Sequence, residues 1–318
     1  MSPIHIHTFW RSGKTYLFNK IRSCEKTLVF YEPFHHFHSF LTPRIISLLD
    51  DQAWPSHHPR LLHPYFFEYV PLLRLDGSGV EGYSVSFSEL NFFDNNNDLL
   101  EQKKYLFSLI DYAENCCLSP VLIYGRSMGR LPWMLKHMRG KHISLQRSIR
   151  GLWHSSKAQW TLHNDPDYLL NPVENLIMAN MDQWIQEYFV ELGLLQLRTL
   201  SRRTENIRDL TLFLLKNSGT LVMQAFCAVI ALGYALAESY TELIVDLERI
   251  SDWEYRQYIE LEFRERYSLT INLHDCNIPE YSCSKEISEV ENYYYNCLDI
   301  ARQHVSMGQL IYGNDLPS

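Results

Sequence analysis

Arg11, Lys14 and Thr15 lie in one short stretch, RSGKT (11–15), whose residue types suit the binding of an anion. The apolar run PIHIHTFW precedes it and the helical spacing of TYLFNKIR follows, which predicts a turn from a strand into a helix. Free backbone N–H groups and the helix dipole favour a phosphate-like group at such a turn. Arg11 and Lys14 add fixed positive charge, and Thr15 adds a hydroxyl donor. A tight turn with a solvated arginine is the alternative interpretation.

The letters SGKT also end the ATP-binding P-loop. The glycine that should open that loop is replaced by Thr8. LIVD (243–246) matches an apolar strand that ends in a magnesium ligand, although such a short pattern is common by chance. A P-loop kinase or another ATP-binding protein therefore stays open as an alternative function.

A second candidate phosphate site lies in HISLQRSIRGLWHSS. Arg147 falls at the end of a predicted strand, and Ser155 falls about two turns into the helix that follows. A guanidinium and a hydroxyl so placed can converge on one phosphate. A surface arginine and a polar helix face would give the same pattern.

Histidines and arginines elsewhere in the chain could transfer a proton or bind an anion. His35 and His36, in FHHFH, are candidate general bases for a hydroxyl proton. Arg126 and Arg130, in GRSMGR, are candidates for contact with an anion, since arginine cannot serve as a base. A metal site at the histidines is disfavoured because no carboxylate or cysteine pattern accompanies them, so no metal is expected.

The elements that must position these residues alternate between strand and helix. Strand patterns occur in PIHIHTFW, KTLVFYEPF, SPVLIYGRS, KHISLQR and ELIVDLERI, with helical patterns after the first, third and fourth. This alternation predicts an α/β fold with a central parallel sheet. We expect one domain over 1–318, an irregular insertion at about 35–100, an extended helical region at about 165–238 and a final helix around VENYYYNCLDIARQH.

The composition of the chain favours a globular cytoplasmic protein over a nucleic-acid-binding or membrane-spanning one. The 318 residues include 46% hydrophobic and 21% charged residues, typical of a globular chain, and the net charge of -8 argues against nucleic-acid binding. Seven cysteines without a CxxC pair, and an N-terminus unlike a signal peptide, indicate a cytoplasmic protein. The apolar run TLVMQAFCAVIALGYALA (220–237) is interpreted as a buried helix rather than a membrane span, because Gln224 interrupts it.

The two candidate phosphate sites together resemble those of the sulfotransferases that use 3′-phosphoadenosine-5′-phosphosulfate (PAPS). WRSGKTYL is similar to the loop that binds the 5′-phosphosulfate in that family, and Arg147 with Ser155 matches the spacing of its 3′-phosphate site. YEPFH and GRSMGRLPWM look closest to bacterial members, and the resemblance spans most of the chain.

The resemblance implies a P-loop-like three-layer fold, with the central parallel sheet flanked by helices, and transfer of a sulfuryl group from PAPS to a hydroxyl. It implies Glu32 as the general base, with Arg11 and Lys14 stabilising the charge on the departing phosphate. The implied PAPS contacts are residues of the loop and of the second site: Arg11, Ser12, Gly13, Lys14, Thr15, Tyr16, Arg147 and Ser155. Binding of the acceptor, expected to be a glycan or glycolipid, is assigned to His35, His36, Arg126 and Arg130. The two arginines are candidates for contact with sulfate or with an anionic acceptor.

The chain departs from the family pattern at two places. Lys14 stands where a small serine or threonine is usual, and the C-terminal Lys-Gly-x-x-Gly-Asp motif is absent. These departures leave open how Arg11 and Lys14 divide their roles and which residues contact the adenosine. A non-catalytic protein that retains the fold is a further alternative.

Overall fold

A computed structural model describes residues 2–50, 61–201, 206–279, 281 and 283–312. Its centre is a sheet of five parallel strands in the order β2-β3-β1-β4-β5. The strands are β1 (Ile4–His7), β2 (Thr27–Tyr31), β3 (Ser119–Tyr124), β4 (Lys141–Gln146) and β5 (Leu243–Asp246). The predicted α/β class, the parallel sheet and all five strands are confirmed.

Helices flank the sheet and form most of the second half of the chain. Their bounds are α1 (Lys14–Arg22), α2 (Pro43–Leu48), α3 (Leu100–Asn115), α4 (Leu131–His137), α5 (Ile149–His163), α6 (Asp167–Met178), α7 (Gln183–Glu191), α8 (Leu197–Ser201), α9 (Ile207–Asn217), α10 (Gly219–Tyr240), α11 (Trp253–Tyr267) and α12 (Lys285–Tyr312). The predicted helical region and the final helix are present. No pattern in the sequence singled out α11.

The predicted insertion is irregular where the structure describes it. Between β2 and α3 it contains α2 and three short 3₁₀ helices, at His36–Ser39, Phe67–Leu72 and Val85–Phe87. Residues 51–60 of this insertion lie outside the described part of the chain. The aromatic residues of the insertion mostly face inward: Tyr65, Phe66 and Tyr69 are fully or almost fully buried.

Buried apolar side chains form two clusters. One lies around the strands, α1, α3 and α11, and the other lies among the helices from α5 onward, with α10 at its centre. α10 is long and apolar enough to cross a membrane, with a mean hydropathy of 1.9, but 78% of that apolar window is buried inside the protein. Helices in the cores of soluble proteins also meet this criterion.

The inner strands carry buried histidines as well as apolar residues. His7 lies on β1, and hydrogen bonds join its Nδ1 to Ser127 Oγ (2.8 Å) and its Nε2 to His142 Nδ1 on β4 (2.9 Å). His5 Nδ1 similarly meets the Tyr124 hydroxyl at 2.9 Å. Burial lowers the pKa of all three imidazoles, that of His142 to about 4, so they are neutral at pH 7.

Candidate functional site

A cleft of about 1320 Å³ opens at the carboxyl-terminal edge of the sheet. Its walls include one residue that follows each strand in turn: Arg11, Glu32, Arg126, Arg147 and Leu247. The connection that follows β1 runs to β2, on one side of β1 in the sheet. The connection that follows β4 runs to β5, in the opposite direction. Open α/β sheets bind ligands at the crevice where the connections diverge in this way, which lies between β1 and β4.

The loop from β1 to α1 presents unpaired backbone donors to the cleft. Arg11 and Gly13 both adopt the left-handed conformation, with φ of 62° and 78°. α1 begins without a side-chain cap, and the N–H groups of residues 13–16 find no acceptor among the described residues. A Cβ atom at Gly13 would meet Leu247 Cδ2 at 2.5 Å. Glycine is favoured at this position by its φ, and a side chain here would displace the end of Leu247.

The two candidate phosphate sites meet in the structure. Arg147 Nη1 donates to the backbone oxygen of Arg11 at 2.8 Å, and Arg11 Nε donates to Ser155 Oγ at 2.9 Å. The residues are more than 130 positions apart in sequence, so only the fold brings them together. All three line the cleft.

Arg147 is held from several sides. Its Nη2 donates to the Tyr281 hydroxyl, and its backbone N–H donates to the Tyr234 hydroxyl at 3.0 Å. The Nε atom lies 3.5 Å from Glu248 Oε1 and forms no hydrogen bond within the described chain. Burial lowers the pKa of Arg147, and the Glu248 carboxylate opposes that effect. A guanidinium on a cleft wall is the type of group that binds a phosphate oxygen.

Glu32 and Lys14 form a buried ion pair at the end of β2. The second carboxylate oxygen of Glu32 accepts the Gly125 N–H at 2.8 Å and lies 3.6 Å from Arg126 Nη1. Burial, followed by the positive charges of Arg126 and Arg11, lowers the pKa of Lys14 well below its usual value. The Glu32 carboxylate is the nearest counter-charge to Lys14 in this environment.

His35 and His36 form part of the cleft wall next to Phe37 and Phe66. Their rings stack on each other with centroids 4.6 Å apart, and His35 Nδ1 accepts the Phe37 N–H at 3.2 Å. Burial and the nearby Arg126 charge lower the pKa of both rings, that of His36 to about 4. The rings are therefore neutral at pH 7, as a general base must be.

Three other residues assigned to PAPS binding differ in what their side chains contact. The Thr15 hydroxyl is hydrogen-bonded to the Tyr31 hydroxyl at 2.8 Å, and the Tyr16 hydroxyl donates to Asp275 at 2.7 Å; both residues line the cleft. The Ser12 side chain is fully buried and donates to the backbone oxygen of Phe9 at 2.5 Å. Only the backbone of Ser12 is thus left for a ligand.

Arg130, expected at the acceptor, lies in the core and not on the cleft wall. Its guanidinium donates to Gln102 Oε1 at 2.8 Å and stacks on Phe34, with 4.6 Å between the guanidinium carbon and the ring centre. Burial lowers its pKa. The short 3₁₀ helix at Met128–Arg130 directs this arginine inward, whereas Arg126 faces the cleft.

Aromatic residues that the sequence did not single out complete the cleft. The Arg11 guanidinium lies over the ring of Tyr168, 5.1 Å from its centre, and the Arg147 guanidinium lies over the ring of Tyr281. His154 stacks on Tyr281 with centroids 5.0 Å apart. His154 directly precedes Ser155 on α5, but no pattern in the sequence pointed to it or to the two tyrosines.

Metal-binding groups are not evident at this site. No set of three or more His, Cys, Asp and Glu residues within the described ranges is arranged to hold a metal ion. Asp246, which ends the LIVD run, accepts the Glu248 N–H at 3.0 Å within its own turn and is not part of the cleft wall.

Searches with the sequence and the fold add no relative. A scan against protein-family models finds no match, and neither do searches of curated proteins and of solved structures.

Proposed function

We propose that this chain is a sulfotransferase that moves a sulfuryl group from PAPS to a hydroxyl of a glycan or glycolipid. One observation carries the proposal. Arg147 and Ser155, which form one candidate phosphate site of the sequence, are hydrogen-bonded to Arg11 in the loop that forms the other. A donor with phosphate groups at both ends of its ribose needs two such sites side by side.

The residues present fit this donor. The free N–H groups of residues 13–16 and the Arg11 side chain would hold the 5′-phosphosulfate. Arg147 and Ser155, which both line the cleft, would hold the 3′-phosphate. The strand order β2-β3-β1-β4-β5, with the anion-binding loop after the central strand, also supports the P-loop-like form of the fold.

Sulfuryl transfer requires charge stabilisation and removal of one proton. PAPS supplies the sulfuryl group: its bond to the phosphate oxygen breaks as a bond to the acceptor oxygen forms. Arg11 and Lys14 would stabilise the negative charge that remains on the phosphate. The Glu32 carboxylate, at the end of β2, would take the hydroxyl proton, with His35 or His36 as the competing base.

ATP-dependent phosphoryl transfer is less well supported. The tail of a P-loop is present, but Asp246 caps a turn next to the cleft. A P-loop enzyme requires a carboxylate at that strand end to reach the magnesium-bound phosphates. Phosphate binding by Arg147 and Ser155 has no counterpart in that mechanism.

Isothermal titration with 3′-phosphoadenosine-5′-phosphate (PAP), and with ATP in the presence and absence of magnesium, tests the proposal. We expect PAP to bind without metal and more tightly than ATP. Magnesium-dependent binding of ATP in preference to PAP would support the kinase alternative. PAP binding without turnover on a panel of hydroxyl acceptors would favour a non-catalytic protein that retains the fold.

A further inference from the structure

Arg126 is a buried cation with unused bonding capacity in the cleft. The residue is 9% exposed, and its Nη1 makes no hydrogen bond with the described residues. The guanidinium packs over Trp10, 5.9 Å from the ring centre. Its only ion-pair partner within the described chain is Glu32, at 3.6 Å. A buried arginine that shares its carboxylate neighbour with a second cation is costly unless a ligand completes its contacts.

Glu32 cannot neutralise Arg126, because the same carboxylate is already paired with Lys14. Glu89 attracts Arg126 from further away, without an ion pair between them among the described residues. Asp167 also faces the cleft, but its charge acts on His36. This part of the cleft therefore holds more positive than negative charge close to Arg126.

The sheet order separates Arg126 from the groups assigned to the nucleotide. Arg147 follows β4 and Arg126 follows β3, and these strands lie on opposite sides of β1. With neighbouring strands about 4.8 Å apart, the two strands are roughly 10 Å apart. The 3′-phosphate therefore belongs on the β4 side, and Arg126 faces the β2 side with Glu32.

The wall on that side is aromatic. His35, His36 and Phe37, at the start of the insertion, and Phe66, further along it, line the cleft. Flat apolar surfaces of this type accommodate the face of a sugar or phenyl ring. Arg126 would then lie beside the hydroxyl that is placed near Glu32.

We propose that the acceptor carries an anionic group of its own, a carboxylate or a phosphate, which binds Arg126 while the acceptor ring lies on this aromatic wall. The inference rests on the proposed function and specifies its acceptor class. It assigns Arg126 to the recognition of the acceptor and not to the binding of the nucleotide.

Three matched probes test the inference: phenyl β-glucoside, phenyl β-glucuronide and phenyl β-glucoside bearing a phosphate on its primary hydroxyl. Each is titrated into the protein saturated with PAP. We expect the carboxylate probe, the phosphate probe or both to bind roughly tenfold or more tightly than the neutral glucoside, the effect of a charge-assisted hydrogen bond. Which of the two binds better identifies the anion.

The variant Arg126→Gln should remove this preference while PAP affinity stays within about twofold of the wild type. Arg126→Lys, which keeps the charge but not the paired donors, should retain part of it. Arg264→Gln, an exposed arginine on α11, is the control and should change neither. The wild-type comparison does not depend on any variant folding.

Equal affinity for the neutral and anionic probes, binding of none of them, or a preference that persists in Arg126→Gln would overturn the inference. Loss of PAP affinity in Arg126→Gln would move Arg126 to the nucleotide site. Failure of the wild type to bind PAP at all would instead overturn the proposed function, so the two failures are distinguishable.

Discussion

Glu32 is held in a conformation that few residues adopt. Its φ of 49° lies in the left-handed region, which costs a residue with a side chain about 1 kcal/mol or more. Three hydrogen bonds fix it there. Its N–H donates to Ile123 O at 2.7 Å, and its carbonyl oxygen accepts the His35 N–H at 2.8 Å and meets His38 Nε2 at 2.8 Å. The conformation directs the carboxylate to Lys14 and to the Gly125 N–H. Backbone strain held in this way is common at functional sites.

The variant Glu32→Gln distinguishes two roles for Glu32, a general base and a structural partner of Lys14. If Glu32 takes the acceptor proton, the change should lower turnover by roughly 10²–10⁴-fold and leave PAP affinity nearly unchanged. The amide keeps the size of the side chain but cannot accept the proton. Single-turnover rates and PAP titrations measure the two quantities.

Glu68→Gln is the matched control, because Glu68 also pairs with an arginine, Arg22 at 2.6 Å, but lies outside the cleft. Its turnover should match the wild type. A parallel loss of PAP binding and turnover in Glu32→Gln would mean that Glu32 only positions Lys14. Turnover close to that of the wild type would transfer the role of base to His35 or His36.

At the scale of elements, the β1–α1 loop depends on Gly13. Alanine at this position would have to adopt φ of 78° and would crowd Leu247. We expect Gly13→Ala to weaken PAP binding roughly tenfold or more, because the loop N–H groups must shift. Gly77→Ala imposes a similar φ, 73°, at a position with no atom within 4 Å of the added carbon.

The comparison of the two variants isolates the loop geometry. Both should lose about 1 kcal/mol of unfolding free energy in urea titrations, but only Gly13→Ala should lose PAP affinity. Equal PAP affinity in the two variants would show that the loop is not a phosphate site.

The strands and most helices could be predicted because their apolar patterns are strong. β3 reads SPVLIY and is buried over five successive residues, and α10 is apolar on every face. α11 was not predicted, because it buries only Ile259, Phe263 and Tyr267, about one residue per turn, and the rest of its sequence is mostly charged or polar. The sequence contains no signal for which strands are neighbours, so the contact between Arg11 and Ser155 stayed a hypothesis until the sheet order was known.

At the scale of the whole molecule, the buried histidines of β1 and β4 make the stability of the fold depend on pH. The pKa of His5, His7 and His142 is lower in the folded protein than the ordinary value of 6.5. Below about pH 6.5 the unfolded chain therefore binds more protons than the folded one, and stability falls as the pH falls. The full stability is present above this pH.

For His142, a pKa lowered from 6.5 to about 4 corresponds to roughly 2 kcal/mol lost between about pH 7 and pH 5. Urea unfolding at these two pH values should show the loss, and His142→Gln should reduce it. His274→Gln, at an exposed histidine, is the control and should leave it unchanged. A pH dependence unaltered in His142→Gln would contradict the assignment.

Side-chain direction was the part of the site that spacing alone did not determine. Arg126 and Arg130 lie four residues apart in one glycine-rich stretch, yet one faces the cleft and the other the core. Ser12 similarly turns toward β1, away from its neighbours Arg11 and Gly13 in the loop. Each outcome depends on packing against residues distant in sequence, such as Gln102 and Phe34 for Arg130.

The central claim, that Arg147 and Ser155 bind a 3′-phosphate, is tested most directly by titrating PAP and AMP, which lacks that phosphate, into the wild type, Arg147→Ala and Ser155→Ala. The wild type should prefer PAP, and Arg147→Ala should lose on the order of 1.5–3 kcal/mol of PAP binding with little change for AMP. Ser155→Ala should show a smaller loss in the same direction. Arg150→Ala, an arginine of α5 paired with Glu291 outside the cleft, should leave both affinities unchanged. Equal affinity of the wild type for PAP and AMP, or equal losses for the two ligands in Arg147→Ala, would contradict the account.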